Sequence, residues 1–388
     1  MVVVVHRPRP LSTATDLTDY TDRTDQTDQT DQTDHAIEAD PDNRSLSSAD
    51  YDAELRSCTA EAFEAVQQYG RTYNKFCAGA YPFPNDVLEN ERLQWQHCLI
   101  QALFLGRNWF APIHRLPLKR PKKVLDIGCG TGIWCIQMAK KFSRSHVVGI
   151  DLSPIQPKIV PTNCEFVIDD IRDRAWWGKG YIHYFDYIHT RMSLGIFRDF
   201  REIIQKGFNN LEPGGWMESQ ELYSKVYCDD NTMPATWPLL QWSKDQDEAA
   251  MKLGTPLRIA NKLKTWYEQA GFLDVKEEVF RVPINEWAKE DRFKMYGKFM
   301  AQNMQGGLYG WTVDYFHRAF GWTEDQIRVE CARVHKSLND RNVHAYFKIY
   351  VVYGRKPHIG EAPSQVPKPD HWPTVFTSCN EDDASSMC

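Results

Sequence analysis

None of the ten cysteines of this chain falls in a C-x-x-C or C-x-x-H pair. That leaves no zinc or disulfide framework to read, and it points to reduced, scattered thiols in an intracellular protein, cytoplasmic or nuclear. No metal site is expected. No long basic run accompanies the formal net charge of −6, so nothing suggests a nucleic-acid surface. Val2–Val5 is too short for the apolar region of an export signal, and no stretch approaches membrane-spanning length. What is present is enough apolar residue for a core, 42% of the chain, and a high aromatic share of 13%.

The first motif is also defined partly by something missing. Val124-Leu125-Asp126-Ile127-Gly128-Cys129-Gly130-Thr131-Gly132-Ile133-Trp134 reads as a buried strand, a tight turn and a helix running to Phe142. The glycines serve backbone that must turn at positive φ or let a ligand come close, and free N–H groups at the helix start would face that ligand. A G-x-G-x-x-G dinucleotide fingerprint would need glycine where Ile133 stands, which disfavours a nicotinamide (NAD) oxidoreductase. Val147-Val148-Gly149-Ile150-Asp151 is a second buried strand ending in an acid roughly 20 residues past the glycines, the place where a ribose diol needs an acceptor. The alternative is a cofactor-free α/β crossover.

Taken in order, residues 1–50 read as a disordered tail, because a Thr-Asp pair recurs every third residue from Thr15 to Asp34 with almost nothing apolar to bury. Residues 51–118 form an N-terminal helical segment. Ala53–Gln68 is helix-like, and Asp86 caps a second helix to about Trp109, with Glu89 as its capping-box partner. Residues 119–283 are a core of strands alternating with helices, which argues a parallel sheet buried on both faces. Its third strand, Cys164–Ile168, ends in Asp169-Asp170. Its fourth is Phe185–His189, and Pro213-Gly214-Gly215 leads into the fifth, Trp216–Glu221. Residues 284–342 are a helical, aromatic-rich insertion, 343–357 the last strand, and 358–388 a flexible C-terminal tail.

The D-x-G-x-G-x-G turn with Asp151 one strand on resembles the class I S-adenosylmethionine (SAM) methyltransferases. Gly149-Ile-Asp-Leu-Ser-Pro-Ile-Gln-Pro157, Asn163-Cys-Glu-Phe166, Phe185-Asp-Tyr-Ile-His189 and Leu211-Glu-Pro-Gly-Gly-Trp-Met-Glu218 narrow the likeness to the fungal LaeA-like methyltransferases, over about residues 65–357. The resemblance implies a seven-stranded, Rossmann-like sheet, mostly parallel with an antiparallel last strand, SAM as cofactor, and a link to fungal secondary metabolism. It implies two functions. One is methyl transfer to a small acceptor, aromatic by the density of rings in the insertion; the other is nuclear regulation of biosynthetic clusters with a regulatory protein partner. The Thr-Asp tail, unlike any recognised partner-binding arm, favours the first.

The site expected on this basis has Gly128, Gly130 and Gly132 against the methionine and ribose parts of SAM. Asp126 faces the ammonium, Asp151 the ribose hydroxyls, and Asp169 or Asp170 the adenine amine, with Ile155 and Trp134 as apolar walls. Arg71 and Tyr73 are candidates for the methionine carboxylate. His189 is the first candidate for a general base, with Glu218, Glu221 and His344 behind it; Arg191 could hold an acidic substrate. The insertion, from about Asn285 to Asn342, is the expected acceptor lid, its rings either stacking on a flat acceptor or forming a subdomain core.

Overall fold

The computed structural model describes residues 3–4, 64–75, 81–172, 183–193 and 195–373. The Thr-Asp repeat, the start of the helix expected from Ala53, and residues 374–388 lie outside them. The strands are β1 (Val3–Val4), β2 (Ala65–Gln68), β3 (Arg71–Asn74), β4 (Lys123–Ile127), β5 (His146–Asp151), β6 (Cys164–Ile168), β7 (Phe185–Arg191), β8 (Leu211–Tyr227), β9 (Leu273–Pro283) and β10 (Tyr346–Arg355). The helices are α1 (Val87–Leu103), α2 (Ile133–Lys141), α3 (Phe200–Asn210), α4 (Pro238–Lys252), α5 (Leu263–Ala270), α6 (Asp291–Phe320) and α7 (Glu324–Leu338).

The main sheet runs β1-β6-β5-β4-β7-β8-β10-β9. Two-residue β1 is an edge addition; the other seven form the expected sheet. Strands β1, β6, β5, β4, β7 and β8 pair in parallel, and β10 runs antiparallel between β8 and β9. Strands β4 and β5 are mostly apolar because helices cover both faces, with Val124, Leu125, Ile127, Val147, Val148 and Ile150 all buried. Pro213-Gly214-Gly215 does not precede β8 but forms an irregularity inside it, where the partners jump from Phe185–Leu211 to Tyr187–Trp216.

Around the N-terminal segment the expectation needs correcting. Ala65–Gln68 is a strand, not the end of a helix. Tyr69 and Gly70, at φ 53° and 69°, turn the chain back on itself, and β2 pairs antiparallel with β3. Asp86 caps α1 as expected, accepting from Glu89 N at 3.0 Å. The same carboxylate takes the Arg71 guanidinium at 2.5 and 2.7 Å, so Arg71 braces the hairpin onto the helix start. Residues 358–373 run over the surface and are mostly exposed, anchored where Ser364 N donates to Gly271 O and Trp372 Nε1 to Gln205 Oε1.

In the insertion, α6 and α7 pack with α1 and α4 over β9 and β10. Of the insertion's rings, Trp311 lines the cavity described next, whereas Phe293, Tyr296, Phe299, Tyr315, Phe316, Phe320 and Trp322 pack within this subdomain.

Candidate functional site

One cavity of about 240 Å³ opens at the carboxyl ends of β4, β5 and β7 and extends under α1 to α6. This is the crevice where ligands of open α/β sheets bind. Its floor is the glycine turn, with Gly128, Gly130 and Thr131 on its wall. A Cβ built on Gly128 would meet nothing within 4 Å and would project into open space, whereas one on Gly132 would lie 2.2 Å from Phe166 Cζ. Gly132 is therefore a packing glycine at the start of α2 and does not line the cavity, contrary to the expectation.

Asp151 does line it, and both its oxygens hold backbone. Oδ2 accepts from Gly130 N at 2.8 Å and Oδ1 from Ser153 N at 2.9 Å. Burial raises its carboxyl above the ordinary range, offset in part by these two donors. Each oxygen keeps a further lone pair for a ligand hydroxyl. Asp151 thus shapes the turn that it shares the cavity with, a role the sequence did not suggest.

Asp126 reaches the cavity wall but is engaged from below. His189 donates to its Oδ1 from Nδ1 at 2.8 Å, and the Cys135 thiol donates to Oδ2 at 3.2 Å. His189 is fully buried, stacked on Trp134 at 3.9 Å between ring centroids, and outside the cavity. The geometry removes it from the base role: it touches no space a substrate could enter. Trp134 is likewise buried beneath the turn and is no wall; Ile155 is. Glu218 accepts from Phe110 N, Ala111 N and Gln220 Nε2, pinning the chain after α1. Glu221 lines the cavity, but both oxygens are taken by Ser193 N and the hydroxyls of Ser193 and Thr190. His344 pairs with Asp230 at the surface.

Asp169 and Asp170 lie beside Asp151 at the end of β6, yet neither lines the cavity. Asp169 N continues the strand pairing by donating to Asp151 O, and Asp170 clamps Arg172. Arg71 and Tyr73 are also outside it.

The cavity instead has residues that sequence reading passed over or left undecided. Arg191 lines it and donates from Nη2 to His97 Nδ1 at 3.2 Å, while its Nη1 is buried without a partner. Burial lowers the guanidinium's pKa, opposed chiefly by Asp126. Burial, with Arg191 second, lowers His97 to about 3. His97 therefore stays neutral in the fold while its unfolded form titrates near 6.5. The unfolded state binds the extra proton between these values, so His97 contributes stability that is complete above about pH 6.5 and lost as pH falls toward 3. Denaturant melts at pH 7.5 and 4.5 should show a smaller acid loss in His97→Gln than in the parent; equal losses would remove His97 as the cause. The far end is apolar, with Phe83, Trp242, Leu257, Met304, Trp311 and Phe347. Glu89 and Arg92 form an ion pair on the cavity wall, with the Arg92 guanidinium 5.0 Å from the Trp311 ring.

A family described as a methyltransferase domain matches residues 101–277. Methyltransferase pytC of Aspergillus terreus is 33% identical over 83% of this chain and 96% of its own. The secondary metabolism regulator LAE1 of Cochliobolus heterostrophus is 32% identical over 74% of this chain and 94% of its own. Among solved structures, phosphoethanolamine N-methyltransferase 2 of Haemonchus contortus with S-adenosyl-L-methionine is 16% identical, with a TM-score of 0.38 over 74% of this chain and 62% of that one.

Proposed function

We propose, from the premise that this chain belongs to the SAM-dependent methyltransferases that include pytC and the LAE1-type regulators, that it methylates a small aromatic acceptor of fungal secondary metabolism. SAM supplies a methyl group on a sulfonium, already activated for displacement. The chain's task is then alignment, which can supply roughly 7–11 kcal/mol of the barrier.

One observation carries the reading: a single cavity joins the glycine turn and Asp151 at one end to Trp242, Trp311 and Phe347 at the other. The residues fit the donor. The open space over Gly128 admits a ligand against the backbone. Asp151 offers lone pairs to a diol, Ile133 and Ile155 offer apolar walls, and the partnerless Nη1 of Arg191 is a cation available to the methionine carboxylate. Asp126, held by His189 and Cys135, faces the ammonium. The rings of the far end suit a flat acceptor by stacking and burial.

Losing a charge-assisted hydrogen bond costs about 1.5–3 kcal/mol, so Arg191→Gln should weaken SAM binding by about 10- to 100-fold. Calorimetry with SAM and with its decarboxylated analogue checks this. The analogue should bind parent and variant alike, and an equal loss for both ligands would take Arg191 off the carboxylate. The likeness to LAE1 supports a second reading, nuclear regulation with a protein partner. A deletion strain of the source fungus separates the two. One product lacking one methyl group supports tailoring, and many silenced compounds support regulation.

A further inference from the structure

The cavity contains one carboxylate that the fold leaves half used. Glu89 stands in the first turn of α1 and is 2% exposed. A capping-box glutamate would turn back to the backbone of Asp86; Glu89 instead gives Oε1 to Arg92, which donates from Nε at 2.9 Å and Nη2 at 2.7 Å. Its Oε2 is buried with no partner. Arg92 is itself fixed, donating from Nη1 to Gln96 Oε1 at 2.6 Å and Asn303 Oδ1 at 2.7 Å, with its plane near Trp311. The whole arrangement lines the cavity.

A buried carboxylate oxygen without a hydrogen bond carries a desolvation penalty that nothing offsets. The other cavity carboxylates do not share this condition: both oxygens of Asp126, Asp151 and Glu221 are bonded. Gln246 repeats the pattern on α4. Its Nε2 donates to Trp311 O at 2.6 Å and its Oε1 is buried without a partner in the same cavity. Unmet acceptors beside a tryptophan call for a flat ligand that brings hydrogen donors.

We propose that Glu89 Oε2 selects the methyl acceptor, accepting the hydrogen of an N–H or O–H on an aromatic ring stacked near Trp311. This rests on the methyltransferase reading above. The proposal separates acceptors with a ring N–H or phenolic O–H from ethers and hydrocarbons of the same shape.

The test uses S-adenosylhomocysteine-loaded protein with two isosteric probes, indole and benzofuran, by calorimetry. The parent should prefer indole about tenfold, the equivalent of one hydrogen bond. In Glu89→Gln the donors of Arg92 hold the amide oxygen, which places the amide N–H₂ where Oε2 stood, an acceptor turned donor. The preference should then fall to about one or below, with S-adenosylhomocysteine affinity unchanged. Equal binding of both probes to the parent, no binding of either, or a preference that survives in Glu89→Gln overturns the proposal. So does a loss of S-adenosylhomocysteine affinity in the variant at constant probe preference, which would assign the oxygen to the donor. Failure of the parent to bind S-adenosylhomocysteine at all would sink the underlying reading first. The parent's preference is read without any substitution, so a misfolded variant does not shelter the claim.

Discussion

Asp151→Ala should weaken SAM binding by about 100-fold or more, the larger part of two charge-assisted hydrogen bonds at about 1.5–3 kcal/mol each. The substitution acts twice. It removes the lone pairs offered to the ribose, and it frees Gly130 N and Ser153 N, which the two carboxylate oxygens now hold at 2.8 and 2.9 Å. The turn then loses its set shape before any ligand arrives. The fold should survive, because the strand carrying Asp151 is secured by Val147, Val148 and Ile150 in the core, not by the acid at its carboxyl end. Asp151→Asn keeps one acceptor oxygen and should lose less. Calorimetry with SAM, beside circular dichroism to establish folding, reads the result. A folded alanine variant with parental affinity would take Asp151 out of the site.

Asp151 was legible in the sequence because its signal is local: an acid closing an apolar run, one crossover past a glycine turn. The sheet was legible for the same reason, since each strand and the helix after it announce themselves within about ten residues. His189 and Asp126 show where this stops. His189 ends an apolar run and Asp126 sits inside one, so alone the first reads as a general base and the second as a partner of the ammonium. They are 63 residues apart, and the parallel register sets them side by side on β4 and β7, so His189 donates to Asp126 beneath the turn and stays out of the cavity that Asp126 lines. Pairing across strands is not written in either strand. Asp169 and Asp170 were misplaced on the same ground, being one strand further from the cavity. Glu89 failed differently. Its spacing from Asp86 fits a capping box, and its spacing from Arg92 fits an i,i+3 ion pair. Both are local, and Asn303 and Trp311, arriving from far along the chain, join Gln96 in fixing Arg92 toward the ion pair.

The first and third glycines of the turn look alike in sequence and should fail in opposite ways. Gly128 and Gly132 both have left-handed backbone, φ 70° and 73°, where a side chain costs roughly 1–2 kcal/mol. Beyond that shared cost they part. At Gly128 a methyl group meets no protein atom, so Gly128→Ala should fold with that modest loss and bind SAM poorly, its methyl occupying ligand space. At Gly132 the methyl would lie 2.2 to 3.1 Å from three atoms of the Phe166 ring, itself buried on β6 against α2. Overpacking typically adds about 1–3 kcal/mol, so Gly132→Ala should lose about 2–5 kcal/mol, a large share of a domain's usual 5–15. Thermal melts separate the two variants without any ligand. A double-mutant cycle isolates the cause: Phe166→Leu should recover part of the loss in Gly132→Ala and none in Gly128→Ala. If both glycine variants melt together and Phe166→Leu rescues neither, the ring does not set the third glycine.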